Sequence, residues 1–168
     1  MSTVLTSDTK VPPAIAALVN GSMCHALDYD DTHDRAVLHT GPITVPAAFA
    51  VAEYIGGVSG KDLINAITLG VEIHCRLGLA TKIWIGWMLT PLYGYFGAAT
   101  AAGKLLGLDE EGLLNAWGIA YSQAAGNGEA IPSGGLTKRL QAGFASNGGV
   151  LAALLAQKGV SGARNSLE

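Results

Sequence analysis

The chain has 168 residues, the length of about one domain and too short for a large multidomain enzyme. Hydrophobic residues make up 49% and charged residues 14%, against about 25% charged in an average soluble domain, so intrinsic disorder is excluded. The formal net charge of −3 arises from 13 acids and 10 bases with no basic stripe, which argues against nucleic acid as a partner.

Small side chains dominate the composition: glycine alone accounts for 23 residues, and alanine is abundant beside it. No segment alternates apolar and polar residues over more than a few positions, and residues 3 to 5 form the one plausible short strand. The sequence therefore predicts an all-α fold. We expect an Ala/Gly-rich bundle of about six helices that forms a single domain over residues 1–168.

The first helix is predicted over residues 13 to 31, because proline fits the first turn of a helix. On such a helix His25, Asp28 and Thr32 share a face, since they are three and four residues apart. Further acids and histidines follow at Asp30, Asp31, His33, Asp34 and His39. A solvated helix end with Asp turn hydrogen bonds and a functional cluster both fit this concentration.

The next segments also have helical patterns. VPAAFAVAEYI predicts a short helix that is buried on nearly all sides. Ser59 and Asp62 predict the N-terminal cap of a following helix, whose solvent-facing stripe consists of Lys61, Asn65, Thr68, Glu72 and Arg76. His74 then faces the core, where we interpret it as a hydrogen-bonded core histidine rather than a ligand.

Three helices are predicted in the remainder of the chain. Thr90 and Pro91 begin a helix that should end at Gly107. The acids at 109 to 111 predict the N-terminus of the following helix, because acidic side chains stabilise that positive end. The loop GNGEAIPSGG precedes a last helix from about 137 to 158. Glycines inside this helix, Gly148 and Gly149, predict a close helix crossing or a bend.

The start of the last helix carries the sequence Thr137-Lys138-Arg139. Free backbone N–H groups and two cations there would suit a carboxylate or a phosphate, although a surface cap with solvated bases fits equally. GxxxxGK[ST] is absent, so this segment is not a P-loop.

Cysteine use and hydropathy predict the compartment. Cys24 and Cys75 lie in apolar segments without CxxC spacing, which predicts buried, reduced thiols. The start of the chain does not have the pattern of a signal peptide, and no run reaches about 18 uncharged apolar residues. We predict a cytoplasmic protein with no membrane partner.

Four runs together resemble the MmgE/PrpD family. They are AALVNGSMCHALDYDDTH, VPAAFAVAEYIGGVSGKDLINAITLGVEIHCRLG, GYFGAATAAGKLLGLDEEGLLNAWGIAYSQAAG and LTKRLQAGFASNGGVLAALLAQKGVSG. Members of that family include 2-methylcitrate dehydratases, cis-aconitate decarboxylases and iminodisuccinate epimerases, which act without a cofactor at a carbon next to a carboxylate. The resemblance implies the central part of the family's helical domain, without its opening helices and lid domain, in a homodimer.

The same resemblance implies site residues. By motif, Asp28, His39 and Lys138 are the catalytic candidates, and Thr32 would hold a substrate carboxylate. Two departures matter: Met88 stands where the family usually has a histidine, and Gln141 stands in TKRLQAG where the family has a histidine.

Elementary chemistry adds further candidates. Removing a proton or carbon dioxide beside a carboxylate builds negative charge that fixed cations must stabilise, and Arg139 next to Lys138 suits this task. His33 is a second candidate imidazole base. The predicted substrate-binding set is thus Thr32, His33, Arg139 and Gln141, with a small carboxylate as substrate and no cofactor or metal.

Three functional hypotheses follow from these residues. The first is a cofactor-free lyase or isomerase that acts on a small di- or tricarboxylate. The second is a truncated, non-catalytic remnant of such an enzyme that persists as an oligomer. The third is an all-α metallohydrolase with the ligands His25, Asp28, Asp31 and His33.

Overall fold

The computed structural model describes residues 1–82 and 86–167. Six helices make up most of it: α1 Pro13–Cys24, α2 Gly41–Ile55, α3 Gly60–Ala80, α4 Leu89–Leu105, α5 Glu110–Gln123 and α6 Thr137–Gln157. Two short antiparallel strands, β1 Ser2–Thr3 and β2 Lys10–Val11, pair Ser2 with Val11. The prediction of an all-α bundle of about six helices is confirmed.

Helix α4 is the central helix, and it packs against α2, α3, α5 and α6. Most of its residues are buried, and its inner surface is formed by Ala98, Ala99, Ala101 and Ala102. Phe96 is the largest fully buried side chain of the core. Because the core consists mainly of alanine, neighbouring helices approach closely and each contributes a small apolar area.

Glycines mark the closest helix crossings. A Cβ atom at Gly149 of α6 would lie 2.7 Å from the backbone nitrogen of Ala99 on α4. Helix α6 also crosses α1, where a Cβ atom at Gly21 would lie 3.1 Å from the Cα atom of Gly143. The predicted close crossing at Gly148 and Gly149 is confirmed, and the second crossing brings the start of α6 to the end of α1.

The first helix is shorter than predicted. It ends at Cys24 rather than at residue 31: the Ala26 N–H bonds to the Met23 carbonyl in a tighter turn, at 3.2 Å, and Asp28 then adopts a left-handed conformation with φ of 55°. Asp31 also accepts hydrogen bonds from the Thr40 and Gly41 N–H groups, at 3.1 and 2.8 Å, which ties the loop to the start of α2. The prediction of one continuous helix through Thr32 is therefore wrong.

Two burial predictions need correction. Helix α2 is buried through most of its first eleven residues, but Phe49, Tyr54 and Ile55 are exposed, so it is not covered on nearly all sides. Both cysteines are free as predicted, yet Cys24 is exposed and Cys75 is only half-buried. The apolar neighbours in sequence did not bury Cys24, because α1 ends there.

Helix α3 has the predicted amphipathic pattern. The stripe Lys61, Asn65, Thr68, Glu72 and Arg76 is exposed, while Ala66, Gly70 and His74 are buried. By length and composition alone α3 could cross a membrane, with a mean hydropathy of 1.3 over 18 residues, of which 22% are buried. Its polar stripe and its packing on α4 are typical of a surface helix of a folded bundle. A cytoplasmic location and the absence of a membrane partner stay predictions.

The α1–α6 crossing generates a stability prediction. A Cβ atom at Gly143 would overlap the carbonyl oxygen of Leu18 and the hydroxyl of Ser22. We expect Gly143→Ala to lower the free energy of unfolding by about 1–3 kcal/mol, because overpacking forces the two helices apart. Urea unfolding measures this change. Gly60→Ala is the matched control, since no atom lies within 4 Å of its added Cβ, and equal losses in both variants would contradict the prediction.

Candidate active site

The candidate site forms where the loop between α1 and α2 meets the start of α6. The α1–α6 crossing places Lys138, on the first turn of α6, beside the residues that follow Cys24. Asp28 reaches the same point because its left-handed backbone reverses the chain just after α1. Residues 110 positions apart in sequence are thereby in hydrogen-bond contact.

Lys138 contacts two groups of the loop. Its ammonium donates hydrogen bonds to Asp28 Oδ1 and to His25 Nε2, the latter at 2.9 Å. His25 Nε2 also lies 3.3 Å from Asp28 Oδ1, so the three side chains form one compact group. Only 15% of the Lys138 side chain and 1% of the His25 side chain is exposed, which strengthens these interactions relative to the same pairs in water.

Asp30 joins this group to His39. Its Oδ2 atom lies 2.9 Å from His25 Nδ1 and 3.4 Å from His39 Nδ1. The two imidazole rings meet edge to face, with centroids 4.9 Å apart. His39 Nδ1 is also 2.9 Å from the carbonyl oxygen of Asp31 and 3.2 Å from the hydroxyl of Thr32.

These partners determine the protonation of His25 and the orientation of the His39 ring. His25 Nδ1 faces a carboxylate and Nε2 faces an ammonium, so the ring is neutral, donates from Nδ1 and accepts at Nε2. Burial lowers the pKa of His25, and the Lys138 charge adds to this effect against the opposing influence of Asp30. His39 Nδ1 faces the Asp31 carbonyl oxygen, which only accepts, so this nitrogen carries the proton. Its Nε2 atom has no hydrogen-bond partner among the described residues.

Asp28 is ionised beside Lys138. Partial burial raises the pKa of its carboxyl, but the hydrogen bond and charge of Lys138 outweigh burial, and the net pKa is lowered. The cluster thus combines an anchored cation, a carboxylate and the His39 imidazole, whose Nε2 has no hydrogen-bond partner among the described residues. Such a set can hold a carboxylate and transfer a proton at a neighbouring carbon.

The structure brings only some of the predicted substrate-binding residues to the cluster. Thr32 contacts His39. His33 instead lies in a turn, where its Nδ1 accepts a hydrogen bond from the Ala36 N–H at 3.2 Å, and it does not contact Lys138, Asp28 or His25. Arg139 donates from Nε to the Ala26 carbonyl at 2.5 Å. Gln141 is buried and donates to the Asn127 carbonyl at 3.1 Å, while its Oε1 has no partner in the described part of the chain.

Asp30 is absent from the predicted site set, and His25 enters there only through helix geometry or as a metal ligand. Asp30 and His25 matter to the cluster because of their side-chain contacts across the loop, and the spacing of residues in the sequence does not reveal such contacts. The one signal was the density of acids and histidines between residues 25 and 39.

The predicted metal set does not converge. Asp31 is engaged with Thr40 and Gly41, and His33 lies in its own turn. Within residues 1–82 and 86–167, one other group, His25, Asp30 and His39, places its potential ligand atoms within 4.8 Å of one another. Both Nδ1 atoms of that group already donate to oxygen acceptors. The geometry therefore favours a hydrogen-bonded cluster over an ion site.

The structure is thus a helical domain in which carboxylates, imidazoles and one ammonium cluster where the loop after α1 meets the start of α6. The family model described as the MmgE/PrpD N-terminal domain matches residues 1–168. The chain belongs to the MmgE/PrpD family.

Curated relatives agree with this assignment. A cis-aconitate decarboxylase of Aspergillus terreus is 38% identical over 167 residues, covering 95% of this chain and 34% of the relative. The cis-aconitate decarboxylase-like protein oryM of Aspergillus oryzae is 39% identical over 160 residues, covering 89% and 33%. The human cis-aconitate decarboxylase is 33% identical over 168 residues, covering 96% and 34%. The chain thus spans about a third of the length of these relatives, which are named for a lyase-type activity.

Behind the cluster, His74 of α3 is fully buried, as predicted. Within residues 1–82 and 86–167 neither ring nitrogen makes a hydrogen bond of good geometry, although the backbone at Thr90 and Leu89 lies close enough to raise the pKa of the ring against the effect of burial. Burial lowers the pKa of His74 to about 4 from its ordinary value of 6.5. The folded protein therefore holds this ring neutral, because a charge there would be poorly solvated.

His74 makes stability depend on pH. Between pH 6.5 and about 4 the unfolded chain binds the proton and the folded chain does not, so stability is complete above this range and falls as pH decreases. In the wild type we expect the free energy of unfolding to fall by about 3 kcal/mol over this pH range because of His74. The His74→Leu variant should not show this decrease. Chemical unfolding at several pH values measures this difference. His33→Leu, at a partly exposed histidine, is the control, and identical pH profiles for wild type and His74→Leu would contradict the assignment.

Proposed function

We propose that the protein is a cofactor-free lyase or isomerase that acts on a small di- or tricarboxylate by proton transfer at a carbon next to a carboxylate. The observation that carries the proposal is the meeting of Asp28, His39 and Lys138 in one cluster, although Lys138 lies 110 residues after Asp28. The names of the relatives favour decarboxylation among the reactions of this class.

In the proposed reaction Lys138 binds a substrate carboxylate. An ammonium has three hydrogens, and Asp28 and His25 engage two of them. The third is available to a substrate oxygen, and the positive charge stabilises the anion that develops next to that carboxylate. Arg139, one residue on, donates to the Ala26 carbonyl and orders the loop on the same side.

His39 is the proposed proton carrier. Its Nδ1–H is oriented by the Asp31 carbonyl, which leaves the Nε2 lone pair for the substrate. In a decarboxylation the bond between the carbon and the leaving carboxyl breaks, carbon dioxide departs, and the electron pair stays on carbon. The carbon then takes a proton that His39 Nε2 has bound from solvent before the reaction, which forms the new C–H bond and leaves His39 neutral.

Met88 bears on the choice among these reactions. It precedes α4 as its N-terminal cap residue, two positions before Thr90, whose hydroxyl accepts a hydrogen bond from the backbone N–H of His39 at 3.1 Å. A thioether transfers no proton, whereas a dehydration needs an acid for the departing hydroxyl in addition to a base. Decarboxylation needs one proton returned to carbon, so Met88 supports that reaction over dehydration.

Substrate turnover by the full-length protein tests the proposal. We expect carbon dioxide release from cis-aconitate, with methylcitrate and iminodisuccinate as comparison substrates. Lys138→Met and His39→Ala should each lower kcat/KM about a hundredfold or more, because each removes a group that meets the developing charge or moves the proton. Lys158→Met, at an exposed lysine after α6, is the control. No turnover of any of the three acids would overturn the proposal.

A specific surface supports a second candidate, a non-catalytic protein that persists as a homo-oligomer. Helix α6 and the residue before it expose four large apolar side chains, at Leu136, Leu140, Phe144 and Leu151. Their spacing of about four and seven residues places them on one side of the helix. Exposed apolar stripes of this kind are typical of interfaces, and a second copy of the chain is the proposed occupant.

Molar mass in solution tests this candidate. We expect the chain to form a dimer by light scattering, and Phe144→Lys to shift it towards the monomer because the charge must be desolvated in the interface. Ile64→Lys, at an exposed apolar residue of α3, is the matched control and should leave the mass unchanged. A wild-type monomer at all concentrations would exclude the homo-oligomer.

A further inference from the structure

We infer that His25 and Asp30 form a positioning pair that holds the Lys138 ammonium and the His39 imidazole in fixed relation to each other. The inference deepens the proposed function and rests on it for the roles of Lys138 and His39. The evidence for the pair itself is geometric and is independent of any substrate.

The pair is buried at the centre of the cluster. The exposed fraction is 1% for the His25 side chain and 10% for the Asp30 side chain, while the four side-chain contacts described above run unbroken from Asp28 through Lys138, His25 and Asp30 to His39. A buried ion or imidazole without partners is costly, so each member keeps its neighbour in place.

Asp30 selects the tautomer of His25 that Lys138 requires. With Nδ1–H donated to Asp30, the His25 Nε2 lone pair accepts from the ammonium at 2.9 Å. The other tautomer would place an N–H group against the ammonium, two donors facing each other without an acceptor. The carboxylate therefore determines whether the flexible lysine side chain has a second anchor besides Asp28.

Asp30 also restrains His39. The same Oδ2 atom that accepts the hydrogen bond from His25 Nδ1–H lies 3.4 Å from His39 Nδ1, and the two rings are in edge-to-face contact. Its other oxygen, Oδ1, is buried and has no partner among the described residues. A shift of either ring would thus move both, so the base and the cation keep their separation when substrate binds.

Opposite changes in the His25 pKa are the signature of such a pair. The charged and titratable groups that face His25 are Asp28, Asp30 and His39 from the loop and Lys138 from α6. Asp30 raises the pKa of His25 and Lys138 lowers it. Asp30→Asn should therefore lower that pKa further, and Lys138→Met should raise it.

Nitrogen-15 NMR of the histidine side chains measures this directly in the 168-residue chain. We expect wild-type His25 to be neutral near pH 7 with its proton on Nδ1, and the two variants to shift its titration in opposite directions. Asp34→Asn, at an exposed aspartate on the same loop, is the control and should shift neither His25 nor His39. A wild-type Nε2–H tautomer, or shifts of the same sign in both variants, would overturn the inference.

Kinetics of the full natural protein separate positioning from space filling. His25→Gln keeps an oxygen acceptor for the Lys138 ammonium, whereas His25→Leu fills similar space without one. We expect kcat to fall about ten- to a hundredfold in His25→Leu, with substantial recovery in His25→Gln. Equal kcat in both variants would contradict a positioning role. If the wild type turned over no carboxylate, the proposed function would fail, and the NMR result would still decide whether the pair exists.

Discussion

The hydrogen bonds between the Lys138 ammonium and the pair Asp28 and His25 are the interaction on which the site depends. They connect α6 to the loop after α1, and no local structure could bring these groups together. The ammonium is mostly buried, so its two anchors are required to offset the loss of hydration. Through His25 and Asp30 the same contacts connect the lysine to His39.

Close packing of small residues makes this contact geometrically feasible. Gly21 and Gly143 allow α1 and α6 to cross with their backbones in contact. Gly143 lies five residues after Lys138 on α6. A larger side chain at either position would move the lysine away from the loop. The Ala/Gly-rich composition therefore serves the site as well as the core, because it determines how near two chain segments distant in sequence can come.

Membership of the MmgE/PrpD family and this cluster together limit the chemistry. The proposed reaction uses the anchored cation to stabilise developing negative charge, the oriented His39 imidazole to carry the proton, and the ionised Asp28 to hold the cation in place. The chain covers about a third of its relatives, so the substrate, the reaction and the oligomeric state are proposals that the experiments above address.

Periodicity and composition were sufficient to predict the helical class, the polar stripe of α3, the burial of His74 and the close crossing at Gly148 and Gly149, because these depend on neighbours three or four residues away. The motif resemblance singled out Asp28, His39 and Lys138. Only the tertiary structure decided that α1 ends at Cys24, that His33 lies outside the cluster and that Asp30 links both imidazoles. The loop after α1 is held by contacts with the start of α6 and the start of α2, which lie outside the reach of a three- or four-residue pattern, so the sequence alone did not reveal them.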